Sequence, residues 1–577
     1  MRSHSSRRIL YGAAFTLTLI AGHVAAQVGT TVRASTAADG SQTDGFVHSI
    51  NPAISDDGRY VAFESAATTF VLGDTNNRVD IFVKDLATGA IERVSVSSTG
   101  VQSNGNSYSA KISSDGRFVA FKSDGNTLVP GYFGIYVRDR LLGTTQCATV
   151  AFDGSPLGGA VEPDFGMSSD GRYVGFSSGA TNAAPGPDAN GTTQDVYVRD
   201  LLLGTSERIS VTTAGAQGSS LSTQAAISRN GRWVAFRSSA ILDPPESNGL
   251  VGDIYVRDRQ LGTTRLVSSS SAGVLPNAPC SYPAISDDGR WVAFHSDSDL
   301  LVPGDTNVFL DVFVKDVQTG TLICVTSASS GGPPLGGAWP GLSADGRFAT
   351  FVSAVPTYVP GDTNGRNDLF VRDLVTGVLT RVHVASGGGQ ANENVMAYSL
   401  ARSGTCVAFE SQATNLVPGD TNTARDVFVH QRPGPTATSY CTAKVDSVGC
   451  LPVFQVTGTP SVGNGQGFDV ALVNVRSNTV GQLFYGLAPQ ALPFAGGTLC
   501  ASGSLRRTPL RASGGPTPPL DCTGSFTFDF AAHAASGVDA ALVPGTTVYA
   551  QYTYRDPLDP SGFGRGLSGG TAFTLVP

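Results

Sequence analysis

The ten-residue stretch ISDDGRYVAF, residues 54–63, decides the fold because the chain repeats it. The phrase occurs seven times, and the turn glycines of successive copies are 55 to 60 residues apart. The other copies are ISSDGRFVAF (112–121), MSSDGRYVGF (167–176), ISRNGRWVAF (227–236), ISDDGRWVAF (285–294), LSADGRFATF (342–351) and ARSGTCVAF (401–409). Self-similarity at a nearly constant period indicates a repeat architecture.

Each copy predicts four β-strands. Asp-Gly forms a tight hairpin turn between a first strand and the apolar run RYVAFES (59–65), with glycine supplying the positive φ. A long loop leads to a third strand, DIFVKD (80–85), and a Thr-Gly turn leads to a fourth, IERVSV (91–96). Four-stranded units with no helical period predict an all-β, seven-bladed β-propeller.

The strand count predicts how the ring closes. The seventh copy stops at Gln431, runs into Pro433 and lacks a fourth strand. The segment TTVRASTAADGSQTDG (30–45) matches a fourth strand with its outgoing loop, such as RVSVSSTGVQSNG (93–105). We therefore predict that the N-terminal strand completes the last blade, which removes the free sheet edges of the ring.

The strand order also predicts two different faces of the disc. The short turns between strands one and two and between strands three and four lie on one face, here called the plain face. The long connections between strands two and three and between successive blades lie on the other, the long-loop face. Binding residues concentrate on long loops held by a rigid scaffold, so we predict a site on the long-loop face, over the central channel.

The repeated phrases [IL]SxDGRxVAF and D[IV][FY]V[RK]D resemble the PD40 propeller repeat, which is TolB-like and WD40-like. The resemblance runs from Asn51 to Gln431. It implies a blade and little about activity, because this repeat is a scaffold for unrelated functions. TolB proteins carry an α/β domain ahead of the propeller, and the related peptidases carry a separate catalytic domain. This sequence shows neither, so the resemblance implies neither a TolB role nor a protease.

A pair of charged residues recurs in six of the seven copies. Strands two and three are antiparallel neighbours, which predicts that Arg59 lies beside Asp85. In the seventh copy the two positions hold Thr405 and Gln431, so both partners are lost together. We predict a structural ion pair in each of the six blades.

A second phrase, Gly-Asp-Thr-Asn, recurs in the loops between strands two and three. Asp-x-Asn-x-x-x-Asp places two carboxylates and an amide oxygen on a tight turn, and hard oxygen ligands of this kind suit Ca²⁺. Asp and Asn side chains also cap turns through nearby backbone amides, and this structural interpretation is the one we favour. The candidate Ca²⁺ ligands are Asp74, Asn76, Asp80, Asp305, Asn307, Asp311, Asp362, Asn364, Asp368, Asp420, Asn422 and Asp426.

No set of residues with catalytic spacing stands out. Gly566–Gly570 formally matches GxSxG, but Ser568 has neither a strand–turn–helix setting nor a histidine after it. We predict that His295 and His383 are surface residues. The predicted function is a non-enzymatic binding scaffold without a cofactor, the Ca²⁺ hypothesis aside. The alternative is a secreted propeller lyase or hydrolase that acts on polysaccharide or peptide at the channel mouth.

The first 26 residues predict an export signal. Three arginines precede an apolar stretch, residues 9–22, and a small-residue cleavage site at 24–26. The apolar stretch is shorter than the roughly 20 residues of a membrane span. Residues 6–10 also resemble a twin-arginine signal. We therefore expect a secreted, periplasmic or cell-surface bacterial protein, with no transmembrane segment.

Charge narrows the partner class. Without the signal, 35 Lys and Arg stand against 46 Asp and Glu, a net charge of −11. Nucleic-acid binding needs clustered basic residues that neutralise phosphates, so we predict no nucleic-acid partner. We expect a monomer that binds a protein, or a cell-envelope or extracellular glycan.

Composition changes after the propeller, which we place at residues 27–432. A Pro-rich linker (433–440) leads to residues 441–577, whose strand-like runs predict a β-sandwich or jelly roll. In an oxidising compartment Cys441–Cys450 and Cys500–Cys522 are the natural disulfides, with other pairings open. Binding carbohydrate, attachment to the cell surface and spacing are all candidate roles for this domain. The cysteines of the blades are expected to be mostly buried thiols: Cys147, Cys280, Cys324 and Cys406.

Overall fold

The computed structural model describes the repeat region almost continuously and the C-terminal region in segments. The predicted export signal lies outside the described residues. Within some strands of the C-terminal region only the backbone is described. The described residues are 29–43, 47–244, 248–249, 251–327, 333–375, 377–432, 438–441, 450, 452–457, 460, 468–477, 479–494, 497–502, 505–513, 524–544, 546–556 and 565–575.

Seven antiparallel sheets of four strands form the repeat region, as predicted. Six blades use consecutive strands, and the seventh combines the last three strands with the first. In chain order the strands are β1 (Thr30–Arg33), β2 (Ser49–Ile54), β3 (Tyr60–Ser65), β4 (Asp80–Asp85), β5 (Ile91–Arg93), β6 (Ser107–Ile112), β7 (Phe118–Ser123), β8 (Gly134–Asp139), β9 (Thr144–Cys147), β10 (Gly166–Met167), β11 (Tyr173–Ser178), β12 (Asp195–Asp200), β13 (Thr205–Arg208), β14 (Ser222–Ile227), β15 (Trp233–Ser238), β16 (Asp253–Asp258), β17 (Thr263–Leu266), β18 (Cys280–Ile285), β19 (Trp291–Ser296), β20 (Asp311–Asp316), β21 (Leu322–Cys324), β22 (Ala338–Leu342), β23 (Phe348–Ser353), β24 (Asp368–Asp373), β25 (Leu379–Arg381), β26 (Val395–Leu400), β27 (Cys406–Ser411) and β28 (Asp426–Gln431).

The predicted ring closure is confirmed. Strand β1 pairs antiparallel with β28, so that Val32 lies opposite Val429. Just beyond β1, the Ser35 hydroxyl donates a 2.6 Å hydrogen bond to the buried carboxylate of Asp426. The N-terminal strand therefore supplies both the outer edge of blade 7 and a partner for a buried charge.

The hydrophobic core lies between adjacent blades. In one cluster, Val196 and Val198 of blade 3 pack against Phe236 and Tyr255 of blade 4, and all four side chains are at most 1% exposed. The second and third strands of each blade are buried on both faces, which explains their near-continuous apolar sequences.

The Asp-Gly turns provide a second contact between blades. Gly289 has a φ of +72°, and a Cβ atom built on it lies 2.2 Å from the Trp233 ring of the preceding blade. Trp291 packs in the same way on Gly346, so both tryptophans are packing residues. Where the ring closes, Cys406 takes the place of the aromatic ring, against Gly58.

The predicted arginine–aspartate pairs are present in six blades. In blade 5, Arg290 Nη2 lies 2.8 Å from Asp316 Oδ2, and its guanidinium lies 4.9 Å from the centre of the Trp291 ring. Each pair therefore joins strands two and three and covers the aromatic residue that packs against the next blade. The pairs are Arg59–Asp85, Arg117–Asp139, Arg172–Asp200, Arg232–Asp258, Arg290–Asp316 and Arg347–Asp373.

We expect Arg290→Ala to lower the free energy of unfolding by about 1 kcal/mol without affecting ligand binding. The pair is partly exposed, which limits its contribution, but a fork of hydrogen bonds and a stacked ring are lost together. Chemical denaturation of both proteins measures the difference. Arg290→Lys is the matched control, because it keeps the charge and loses the fork. An unchanged midpoint for Arg290→Ala would contradict this role.

The C-terminal region is a further β domain with one short helix. Its sheets contain six, three and two strands. Strand β29 begins inside the segment predicted as a linker. The elements are β29 (Thr438–Cys441), β30 (Val453–Thr457), β31 (Asp469–Val475), β32 (Val480–Gly486), β33 (Ala488–Phe494), β34 (Gly497–Ser502), β35 (Arg506–Arg507), β36 (Arg511–Ala512), β37 (Gly524–Asp529), α1 (Phe530–Ala535), β38 (Thr547–Arg555) and β39 (Arg565–Thr574).

A common core joins the two larger sheets of this domain. Leu472 and Phe526 of the three-stranded sheet pack in one cluster with Leu483 and Tyr552 of the six-stranded sheet. Two sheets that share a core in this way are the arrangement expected of a sandwich. Cys450 is disulfide-bonded, and the described side chains do not include its partner.

Two further sequence expectations concern thiols and membranes. The four propeller cysteines are free, and two of them, Cys280 and Cys406, are buried while Cys147 and Cys324 are half-buried. In the described part of the chain, no helix has the length and apolar character needed to cross a membrane.

Candidate functional site

In four blades an arginine lies between the two aspartates of the Gly-Asp-Thr-Asn loop or its relative. In blade 1, Arg93 Nη1 from β5 lies 2.8 Å from Asp74 and 3.6 Å from Asp80. The guanidinium places its positive charge between the two carboxylates. The equivalent groups are Arg208 with Asp188 and Asp195, Arg381 with Asp362 and Asp368, and Arg33 with Asp420 and Asp426.

The asparagine of each of the four Gly-Asp-Thr-Asn loops forms hydrogen bonds within its turn. In blade 1 the Asn76 Oδ1 atom accepts a 3.0 Å hydrogen bond from the Arg78 amide, and Nδ2 donates to Asp80 over 2.8 Å. The same amide-to-Oδ1 bond forms at Asn307, Asn364 and Asn422. These contacts favour the turn interpretation. Within the described residues no group of three or more His, Cys, Asp and Glu has a metal-binding arrangement. The Ca²⁺ hypothesis stays a prediction, which calcium titration calorimetry tests.

Blade 5 departs from this pattern. Cys324 stands at the position of the arginine, and no Lys or Arg of the described residues pairs with Asp305 or Asp311. Burial raises the pKa of Asp311 to about 6, and the Thr326 hydroxyl and the Gly336 amide donate to its Oδ1 atom. The loop is also apolar: the side chains of residues 308–310 are exposed.

The exposed apolar residues of that loop line a groove. Between blades 5 and 6 on the long-loop face lies a cavity of about 660 Å³. Phe309 forms one wall, Val355 and Pro356 another, and Trp339 lies at its inner side. Trp339 also lines the central channel, so the groove and the channel share a wall.

The first strand of every blade lines the central channel, a cavity of about 340 Å³. One position per blade is equivalent in register, because each of these residues lies opposite the same position of strand two. Six of the seven residues there are small, and Lys111 is the exception. The seven are Ala53, Lys111, Gly166, Ala226, Ala284, Gly341 and Ser399.

The first strands contain β-bulges two residues before the position of Lys111 and its equivalents, on the side of the long-loop face. Five bulge residues that are not glycine have φ between 50° and 58°, a conformation that costs energy and persists only where the surroundings enforce it. Neighbouring blades enforce it here: the Ser109 amide donates a 2.7 Å hydrogen bond to Glu64, and the Tyr282 amide donates a 2.9 Å bond to Gln224. The five residues are Asn51, Ser109, Gln224, Tyr282 and Trp339.

Ion pairs cross the channel at the plain face. Arg229 of blade 4 reaches Asp56 of blade 1 at 3.7 Å, and Arg402 of blade 7 pairs with Asp287 of blade 5. Backbone hydrogen bonds link neighbouring Asp-Gly turns around the same mouth. Tyr282 and Trp339, near the other mouth, are both 44% exposed. The channel is therefore a pocket that is restricted at the plain face and accessible from the long-loop face.

Glu64 is a buried titratable group beside this mouth. Its side chain is 3% exposed, and it accepts hydrogen bonds from the Ser109 amide and the Asn51 side chain. Desolvation raises the pKa of Glu64 to about 7. The carboxylate therefore changes its charge near neutral pH, beside the channel.

We expect Glu64→Gln to remove part of the pH dependence of stability. The folded pKa is above the unfolded value of 4.5, so the stabilising contribution is complete below that value and is lost as pH rises towards 7. The difference amounts to about 2 to 3 kcal/mol. Denaturation of both proteins at several pH values between 4 and 8 measures it. Parallel stability curves would show that Glu64 does not titrate differently in the folded protein.

The prediction that His295 and His383 are surface residues is wrong. They are 6% and 0% exposed: His295 lies in β19, the second strand of blade 5, and His383 follows β25 and lies between blades 6 and 7. His383 Nδ1 lies 2.8 Å from Asp368 and Nε2 lies 3.1 Å from the Ser411 hydroxyl. The trio has the composition of a nucleophilic triad. All three side chains are fully buried, so we interpret it as packing.

Ser568 is also structural. It lies in β39, is fully buried, and its hydroxyl accepts a 2.8 Å hydrogen bond from the Tyr552 amide. The GxSxG match therefore places no accessible nucleophile in the C-terminal domain, in agreement with the sequence analysis.

Seven closed blades define the protein as a β-propeller. No family model and no curated protein matches the chain. TolB from Acinetobacter baumannii is similar at 17% identity and a TM-score of 0.33, over 56% of this chain and 64% of that one. Oligogalacturonate lyase from Vibrio parahaemolyticus is similar at 13% identity and a TM-score of 0.43, over 70% of this chain and 93% of that one.

A third propeller protein, the acylaminoacyl peptidase of Pyrococcus horikoshii, is similar at 10% identity and a TM-score of 0.40, over 75% of this chain and 59% of that one. The neighbours are thus TolB-like and other propeller proteins. Likeness at this level concerns the fold alone, and both enzymes and non-enzymes are among these proteins.

Proposed function

We propose that this protein is a non-enzymatic binding protein that takes a ligand into the central channel from the long-loop face. One observation carries the proposal: the channel is restricted by ion pairs at the plain face and accessible at the other, where Tyr282 and Trp339 are exposed. Pockets lined by apolar and aromatic side chains with a few placed polar groups are the usual form of a ligand site.

The location and partner class are part of the proposal. The predicted export signal supports a secreted or periplasmic protein, and the negative net charge supports a ligand other than nucleic acid. A component of the cell envelope, either a protein segment or a glycan, fits these conditions. The groove beside Trp339 extends the site for a ligand longer than the channel.

A channel-filling variant tests this function. We expect wild-type protein, incubated with periplasmic, cell-wall and glycan fractions, to release a bound compound on denaturation. Ser399→Trp places a large side chain among the small residues of the channel wall and is expected to abolish capture. Its melting temperature serves as the check on folding. Equal capture by both proteins would refute binding in the channel.

A second candidate, an enzyme at the channel mouth, is favoured by one observation. The mouth combines unlike polar residues, and Glu64 has a pKa of about 7, which suits general acid–base catalysis at neutral pH. Incubation of the captured compound with wild type and Glu64→Gln separates the candidates. Release of the compound unchanged by wild type supports binding. Turnover that Glu64→Gln loses supports catalysis.

A further inference from the structure

Lys111 is the cation on the wall of the channel. The six other residues at its level carry at most a hydroxyl group. Its side chain is exposed to the channel space, and no salt bridge of the described residues includes it. The short side chains around the unpaired ammonium group of Lys111 leave room for a ligand group to contact it.

Arg402 supplies a second cation at the floor of the same cavity. One end of its guanidinium pairs with Asp287. Arg402 lines the cavity, so its guanidinium adds positive potential at the floor.

Burial lowers the pKa of Lys111, and Asp164, the carboxylate that lines the cavity, raises that pKa and so favours the charged form. Glu64 also acts on Lys111 from behind the wall. The carboxylates of Asp164 and Glu64 reduce the positive electrostatic potential of the channel near Lys111 and Arg402. The cavity is thus lined by two cationic side chains, Lys111 and Arg402, and by one exposed carboxylate, Asp164.

Aromatic rings complete the cavity. Tyr282 and Trp339 belong to adjacent blades, are each 44% exposed and line the channel above the level of Lys111. The φ values of +55° and +56° hold both residues in a conformation that bulky side chains rarely adopt. Two exposed rings held in this way offer flat apolar surface to a ligand that enters from the long-loop face.

We propose that the part of the ligand that enters the channel carries an anionic group, which lies at Lys111 and Arg402, and a flat apolar part, which lies against Tyr282 and Trp339. This inference rests on the proposed function, because it names the chemical class of the ligand of that same site. The ammonium group of Lys111 and the guanidinium of Arg402 donate hydrogen bonds that carboxylate and sulfonate oxygens accept. A charge-assisted bond to Lys111 fixes the orientation of the ligand.

Two fluorescent probes that differ in one charged group test the inference. 8-Anilinonaphthalene-1-sulfonate carries an anionic group, and N-phenyl-1-naphthylamine has the same rings without it. We expect Lys111→Met to weaken binding of the sulfonate about tenfold, the loss typical of a bond to a charged group, and to leave the neutral probe unchanged. Asp164→Asn is expected to strengthen binding of the sulfonate, because it removes a repulsive charge.

Lys122→Met is the matched control. Lys122 lies on the next strand of the same blade and stacks on Tyr108, so its removal is expected to leave both affinities unchanged. If Lys111→Met and wild type bind the sulfonate equally while Ser399→Trp abolishes binding of both probes, the channel binds ligands and the anionic inference is wrong. If Ser399→Trp binds both probes as wild type does, or if neither probe binds wild type, the proposed function fails as well.

Discussion

Gly289→Ala is expected to destabilise the propeller by about 3 kcal/mol or more. The new Cβ atom lies 2.2 Å from the ring of Trp233, which packs between two blades, so the ring or the backbone has to shift. The φ of +72° adds backbone strain that alanine tolerates poorly. Urea denaturation followed by circular dichroism measures the change in the free energy of unfolding.

Gly304→Ala is the matched control for this prediction. Gly304 has a similar φ of +79°, but a Cβ atom there meets no other atom within 4 Å. The decrease in the free energy of unfolding of Gly304→Ala therefore reports backbone strain alone, about 1 kcal/mol. Equal losses for the two variants would show that the contact between blades contributes nothing to stability.

Removal of residues 27–43 is expected to have the largest effect, a loss of about 5 kcal/mol or the failure of the ring to fold as a monomer. The deletion takes away β1, exposes the edge of β28 to pairing with other chains, and leaves Asp426 without Ser35 and Arg33. Size-exclusion chromatography and thermal unfolding detect the two consequences.

A single substitution separates the contribution of strand β1 to stability from that of the hydrogen bond to the buried Asp426. Ser35→Ala keeps β1 and removes the hydroxyl that bonds both Asp426 and the Val427 amide. We expect a loss of about 1 to 2 kcal/mol with no change in oligomeric state. If the deleted chain remained monomeric and as stable as Ser35→Ala, strand β1 would not be the element that closes the ring.

The difference between prediction and structure is greatest at the site. Repeat comparison predicted the blades, the closure and the six ion pairs, because each depends on pairings that recur along the chain. It attributed the polar loops to turn structure or calcium. It did not reveal that Arg93 reaches Asp74, since Asp74 lies in the loop between β3 and β4 while Arg93 lies in β5.

One signal for the channel site was present in the repeats. Aligned on their Asp-Gly turns, the copies have Ala, Lys, Gly, Ala, Ala, Gly and Ser at one first-strand position, and Lys111 is the residue that differs. Its importance depends on the closed ring, which turns seven separate positions into one wall.

The sequence by itself determined the architecture: seven blades, a ring closed by the N-terminal strand, and a second β domain. These properties follow from local strand and turn preferences repeated along the chain. Only the tertiary structure decided what the channel can do. The ion pairs of Arg229 and Arg402, the buried Glu64 and the exposed Trp339 depend on contacts between distant blades, and burial and charge at such contacts are properties of the assembled ring.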